Sequence, residues 1–198
     1  MEIIGERWTL LIVRDLLVGP KRFSDLQRGL SGIPSNILTE RLKELEEAHL
    51  VQRRALPRPS PAVVYELTAD GSELEEAVIS IGRWGAKRLG EPRPDEVITE
   101  DSMASALLTT FRPEEAARMN LRFELRLGEI IIHAHVQNRK VTVGRGPLDK
   151  ADLKIEAGPK LRQLLAREIS PQEALRKKIV RISGDPKLLT KFVQLFQI

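Results

Sequence analysis

The side chains best suited to chemistry in this sequence are donors to a polyanion. Ser35, Asn36, Thr39 and Lys43 fall at helical spacing on the side opposite Leu38, Leu42 and Leu45. Asparagine can give and take two hydrogen bonds with adenine in the major groove, and serine and threonine bond bases or phosphates. Lys21 and Arg22 stand just before a short helical stretch, where phosphate contact is expected. Arg53, Arg54 and Arg58 put three positive charges in a stretch with no acid between Val51 and Val63. Such local charge is what a neutral domain needs to hold a phosphate backbone. Arg41 has two equal readings, a phosphate contact or a helix-flank ion pair with Glu44. For all of these basic groups the competing reading is a solvated surface.

Catalytic chemistry finds no footing. There is no cysteine, which removes disulfides, thiolate nucleophiles and Cys-ligated metal. No Gly-x-Ser-x-Gly elbow and no glycine-rich phosphate loop occurs. His133 and His135 share a strand face at i, i+2. Two histidines can begin a zinc site, but a third ligand is needed, and His49 belongs to the other half of the chain. No metal, no cofactor and no enzymatic activity are expected.

The elements that must position these groups follow from periodicity. Trp8–Val18 is apolar nearly all round and reads as a buried helix ended by Gly19-Pro20. Arg22–Leu30 is a short helix with Phe23 and Leu26 inward. Pro34 suits the first position of the next helix. Val51–Ala55 and Val63–Leu67 are short strands around a proline-rich tip. A helix over about 69–89 carries Leu74, Ala77, Val78, Ile81 and Trp84 at helical spacing. Further helices are expected near Asp101–Thr110, at Lys160–Arg167, after the Ser170-Pro-Gln-Glu173 capping pattern and after Asp185-Pro186. Five strands are expected between them: Leu121–Leu127, Ile130–Val136, around Val141 and Val143, around Leu153 and Ile155, and Lys178–Ser183.

Composition sets the frame. The chain has 198 residues, 41% of them hydrophobic, enough for packed cores and too many for a disordered chain. No apolar run approaches the ~20 residues of a membrane span, and no secretory signal is visible, so a soluble cytoplasmic protein is expected. Gly90-Glu-Pro-Arg-Pro-Asp95 breaks the helical pattern. We therefore expect domains at 1–89 and 99–198 joined by a linker at 90–98. Residues 1–90 carry 13 basic and 13 acidic groups and the remainder 19 and 15, so neither half is a basic tail.

Helix, helix, turn, helix, two strands and a proline-rich tip is the order of a winged helix-turn-helix. Gly5-Glu-Arg-Trp8, Arg14-Asp15-Leu16, Arg22-Phe23-Ser-Asp-Leu26, Leu38-Thr39-Glu40-Arg41-Leu42 and Tyr65-Glu-Leu-Thr68 occur in that order. With them, residues 3–89 resemble the HxlR family of bacterial transcription regulators. The resemblance implies binding to double-stranded DNA as a homodimer. Family members often carry an upstream cysteine that senses oxidants; this sequence has none.

Asp152–Ala157, Leu164-Leu165, Ser170-Pro171, Gly184-Asp185 and the stripe Leu188, Leu189, Phe192 make residues 100–198 resemble the sterol carrier protein-like lipid-binding fold. That resemblance implies helices enclosing an apolar cavity, lined by Leu107, Leu108, Phe111, Leu189, Phe192 and Phe196. Plain core packing is the competing reading of the same six. The whole chain is thus expected to be α+β: a winged helix-turn-helix, then a mixed α/β sterol carrier protein-like domain with a five-stranded sheet. The expected function is transcription regulation by a homodimer, with a lipid-like small molecule sensed by the second domain. The alternative is an apolar-ligand carrier or dimerisation module whose winged helix makes protein contacts.

Overall fold

Apolar spacing forms the first three helices, α1 (Arg7–Leu17), α2 (Phe23–Gly29) and α3 (Ser35–Glu47). The structure, a computed structural model, describes residues 3–57, 61–88 and 98–198. Arg58 and all but the last residue of the expected linker lie outside the described residues. The chain divides into two compact units, Met1–Ile81 and Gly82–Ile198.

In the first unit, Ile12, Val13 and Leu16 of α1 meet Leu26 of α2 and Leu38, Leu42 and Leu45 of α3 in one core. Pro34 stands one residue earlier than expected, as the extended residue preceding α3 (φ −65°, ψ 142°). Its fixed φ still suits the entry to the helix. Strands β1 (Val51–Leu56) and β2 (Ala62–Leu67) pair antiparallel from Val51↔Leu67 to Leu56↔Ala62. Lys21 adds a single bridge to the far side of β2, exchanging both backbone hydrogen bonds with Tyr65 at 2.9 and 2.7 Å.

The helix expected over 69–89 is two helices, α4 (Ala69–Ser72) and α5 (Glu75–Ala86). The break has a local cause. Gly71 is buried, and a Cβ there would overlap the Leu50 carbonyl oxygen. Thr68 accepts from the Gly71 N–H (3.0 Å) and donates to the His49 carbonyl (2.7 Å). These contacts pin the chain to the end of α3 before α5 sets its own direction. No residue of α5 is fully buried.

The second unit opens with α6 (Glu100–Thr110), whose start is closed by reciprocal Thr99 and Ser102 hydrogen bonds. A 3-10 turn at Pro113–Ala116 leads to β3 (Asn120–Leu127), β4 (Ile130–Gln137) and β5 (Lys140–Arg145). Then come β6 (Leu153–Ala157), α7 (Leu161–Leu165), α8 (Pro171–Arg176), β7 (Val180–Gly184) and α9 (Pro186–Leu195). The five strands form one sheet in the order β5-β4-β3-β6-β7. β3 and β6 run parallel and every other neighbouring pair is antiparallel. Asn138 and Arg139 both take positive φ (47° and 67°) in the β4–β5 hairpin, the backbone of a turn that matches strand twist.

Register puts Phe123, Leu125, Ile132, Ala134, Leu153 and Ile155 on one sheet face, all buried. The opposite face carries Glu124, opposite His133 on one side and Lys154 on the other. The alternation of β3 predicts a solvated Glu124, yet it is fully buried. It accepts from Arg126 Nε (2.7 Å) and the Leu148 N–H (2.8 Å), with Lys154 Nζ at 3.6 Å. The loop after β5 that supplies Leu148 is what covers it.

Burial pushes the Glu124 carboxyl up, but the Leu148 N–H, Arg126 and Lys154 together outweigh that and hold it below the usual carboxylate range. A folded-state pKa below the unfolded value adds stability above the ordinary carboxylate range, lost as pH falls through the folded value. The stability of the second unit should therefore fall as pH drops below the ordinary carboxylate range. Glu124→Gln should flatten that part of the dependence and cost about 1–3 kcal/mol at neutral pH. Identical pH profiles for variant and parent would refute this assignment.

Candidate nucleic-acid interface

α3 is two-faced by sequence, and the structure keeps it so. Leu38, Leu42 and Leu45 are inside, while Ser35, Asn36, Thr39 and Lys43 lie along the opposite face, outside that core. Ser35 is the first residue of the helix, so Ser35 and Asn36 sit where free N–H groups and the helix dipole favour an anion. No acid stands in that first turn. Thr39 Oγ1 donates to the Ser35 carbonyl at 2.8 Å, and Lys43 Nζ lies 3.5 Å from Glu47. Four residues with hydrogen-bonding side chains thus share one exposed face of α3.

The remaining basic residues divide by environment. Arg22 precedes α2 and is exposed, its N–H bonded to the Asp25 carboxylate at 3.2 Å. Lys21 is only 3% exposed, because its backbone is drawn into the edge of β2. The expectation of a surface phosphate contact at Lys21 is corrected on that ground. Arg41 resolves towards the ion pair: its guanidinium meets Glu44 at 2.6 Å and Glu40 at 3.5 Å. Its side chain is 17% exposed.

The wing arginines do not form the single patch read from the sequence. Successive strand residues face opposite sides, and of the two described wing arginines, Arg53 and Arg54, each meets its own acid. Arg53 pairs with Glu46 of α3 at 2.9 Å and lies over the Tyr65 ring. Arg54 pairs with Glu66 across the hairpin at 2.8 Å, and Gln52 donates to the same carboxylate at 3.0 Å. The Glu66 carboxyl is held below its usual range by Arg54 first and Gln52 second. The hydrogen bond to Glu46 likewise strengthens the hold of Arg53 on its proton. Glu46 and Glu66 are the residues that sequence reading missed. For Glu66 the signal was present only as distance across a hairpin, at the β1–β2 register Gln52↔Glu66, and Glu46 reaches Arg53 from α3.

Residues 3–92 match the HxlR-like helix-turn-helix family. The HTH-type transcriptional regulator YodB of Bacillus subtilis (strain 168) is 38% identical over 90 residues, 46% of this chain and 80% of that protein. The chain belongs to the HxlR-like helix-turn-helix family. An uncharacterized HTH-type transcriptional regulator of Mycobacterium tuberculosis (strain ATCC 25618 / H37Rv) is 40% identical over 95 residues, 48% of this chain and 58% of that protein. The reduced form of YodB from B. subtilis aligns with 46% of this chain and 90% of its own, at 34% identity and a TM-score of 0.40. Beyond the HxlR-like unit, residues 111–197 match the SCP-2 sterol transfer family.

Of the six residues expected to line a cavity in that SCP-2-like unit, five are buried and pack as core. The Phe192 and Phe196 rings meet tilted by 39°, 4.8 Å between centroids, and Phe111 lies 5.7 Å from Phe196. Phe123 of β3 closes the cluster at 5.3 Å from Phe192. Leu107 and Leu189 are equally enclosed, and Leu108 is half-buried. The stripe is therefore self-filling in this arrangement. His133 donates through Nδ1 to the Gly146 carbonyl at 2.9 Å, and His135 Nε2 lies 2.7 Å from Asn120 Oδ1. The two rings are held by separate partners. Among the described residues, no group of three or more metal-ligating side chains converges. Among them also, no helix is long and apolar enough to cross a membrane.

Proposed function

We propose that this chain is a homodimeric, cytoplasmic transcription regulator that reads double-stranded DNA with α3. The carrying observation is the polar outer face of Ser35, Asn36, Thr39 and Lys43, backed by the buried leucines of the same helix. Arg22, Arg53, Arg54 and Arg58 are assigned to the phosphate backbone. Arg53 and Arg54 exchange Glu46 and Glu66 for phosphates on binding, at a cost in intramolecular pairing. Arg41 is left as a structural ion pair. We retain 1–89 and 99–198 as the functional domains, joined by 90–98.

A second copy is the proposed occupant of the outer side of α5. Ala77, Ile81 and Trp84 lie at i, i+4 and i+7 and are exposed, Ile81 by 55% and Trp84 by 61%. Large apolar side chains aligned in this way mark an interaction surface. Light scattering of the full chain should give a dimer, and Ile81→Glu with Trp84→Glu should convert it to a monomer and weaken DNA binding together. A monomeric parent chain would sink the dimer.

DNA binding is tested by selecting duplexes from a random pool with the full chain, then measuring anisotropy. Enrichment of a pseudo-palindrome with half-sites roughly 34 Å apart supports the reading. The self-paired wing favours a second reading, in which the winged helix contacts protein. Failure to enrich any sequence, with binding insensitive to salt, would favour that reading.

The SCP-2-like unit is assigned an apolar small molecule. The support is the family match, and the cost is parting the Phe111–Phe196 contact. Such a ligand alters DNA affinity only if it binds two arrangements of the protein unequally. Native mass spectrometry before and after denaturation should reveal a co-purified apolar molecule. A clean protein mass, with no uptake from a lipid panel, would count against the assignment.

A further inference from the structure

We propose that a cleft in the second unit, at the C-terminal end of α6, is a binding site for a carboxylate or phosphate oxyanion. The cleft has a volume of about 40 Å³ and is lined by Arg83, Lys87, Thr110, Arg112, Gln197 and Ile198, with Ala86 beside them. Three of these are cations. Among the described residues none of the three faces a carboxylate within ion-pair distance.

That arrangement is unusual within the unit. Among its described residues, six cationic side chains are half-buried, and four of them meet an acid. Arg122 has Asp152, Arg126 and Lys154 share Glu124, and Arg162 has Glu168. The two left over, Arg83 and Arg112, line the same cleft. Removing a cation partly from water without an opposite charge is costly, so a half-buried pair that shares one cavity is suited to binding an anion.

The donors are also held in place. Arg83 is fixed through Nε to the Thr109 carbonyl (3.0 Å) and through Nη2 to the Phe111 carbonyl (2.7 Å). The rest of its five N–H donors remain for a ligand. Arg112 Nε is buried and has no hydrogen-bond partner. The backbone around it is clamped by the Phe111↔Phe196 bridge, with the Arg112 N–H on the Leu195 carbonyl (2.7 Å) and the Gln197 N–H on the Thr110 carbonyl (2.9 Å). Two arginine forks suit the planar oxygens of a carboxylate or phosphate, and Lys87 adds an exposed point charge. This site needs neither the DNA reading nor the apolar-ligand reading to hold.

The test is an NMR titration of the labelled full chain, with sodium phosphate and with sodium octanoate, at ionic strength fixed with sodium chloride. Saturable shifts at the Thr110, Arg112 and Gln197 amides and at Arg83 Nε are expected. Saturation by both probes shows that the shared oxyanion chemistry suffices. Saturation by octanoate alone assigns a lipid carboxylate, and by phosphate alone a free phosphate. Lys87→Gln, at an exposed position, should weaken binding several-fold. Arg112→Gln should weaken it about tenfold or more, the effect of losing a charge-assisted hydrogen bond. Shifts that follow chloride equally, that never saturate, or that are unchanged in both variants overturn the site.

Discussion

Replacing Lys43 and Arg54 by glutamate is expected to weaken binding to a selected duplex about a hundredfold or more near physiological salt, with the fold retained. Both side chains are exposed, by 73% and 47%, so neither change empties a core. For every phosphate that is no longer neutralised, the slope of log affinity against log salt should also fall by about 0.9. Arg54→Glu places a second acid beside Glu66, so Arg54→Gln is the control that removes charge without that repulsion. Asn36→Ala should behave differently. It should erase preference at one base position, worth about 1–3 kcal/mol, and leave the salt slope nearly unchanged. Anisotropy at several salt concentrations reads all of these. An affinity and slope equal to those of the parent in the double variant would dismiss α3 and the wing as the interface.

Phe192→Ala should give the largest loss of stability in the second unit, about 3–5 kcal/mol, out of a domain total of about 5–15. Phe192 has no solvent exposure and touches both Phe123 and Phe196 rings. Its truncation leaves a cavity walled by side chains that cannot all collapse into it. The transition of the HxlR-like unit should stay where it is, because its leucine core is separate. Urea unfolding followed by domain-specific probes measures both. A cost below about 1 kcal/mol would mean that the cluster is loosely filled, and the ligand-chamber reading of Phe111, Phe192 and Phe196 would gain at the expense of the core reading.

Much of the architecture was legible because it is local. The period of Leu38, Leu42 and Leu45 fixes which side of α3 is wet, so it fixes Asn36 and Lys43 as surface residues. The alternation in β3 and β4 likewise selects Phe123, Leu125, Ile132 and Ala134 as one face. Spaced HxlR-like motifs carried the family, and the structure added no residue to that conclusion.

What escaped the sequence was set by partners distant along the chain. Lys21 looks like a surface cation until its backbone joins β2 beside Tyr65. Glu124 looks solvated until the Leu148 loop and two cations close over it. Gly71 reads as an ordinary helix glycine until Leu50 comes against it. The wing shows three unopposed charges until the hairpin register brings Glu66 to Arg54 and α3 brings Glu46 to Arg53.

Periodicity and the spaced motifs therefore determined the elements, their apolar faces and the family of this protein. Tertiary structure decided which charges are compensated by partners distant along the chain. Side-chain period is a property of neighbouring residues, whereas the energy of a charge depends on its distance to other charges and to water.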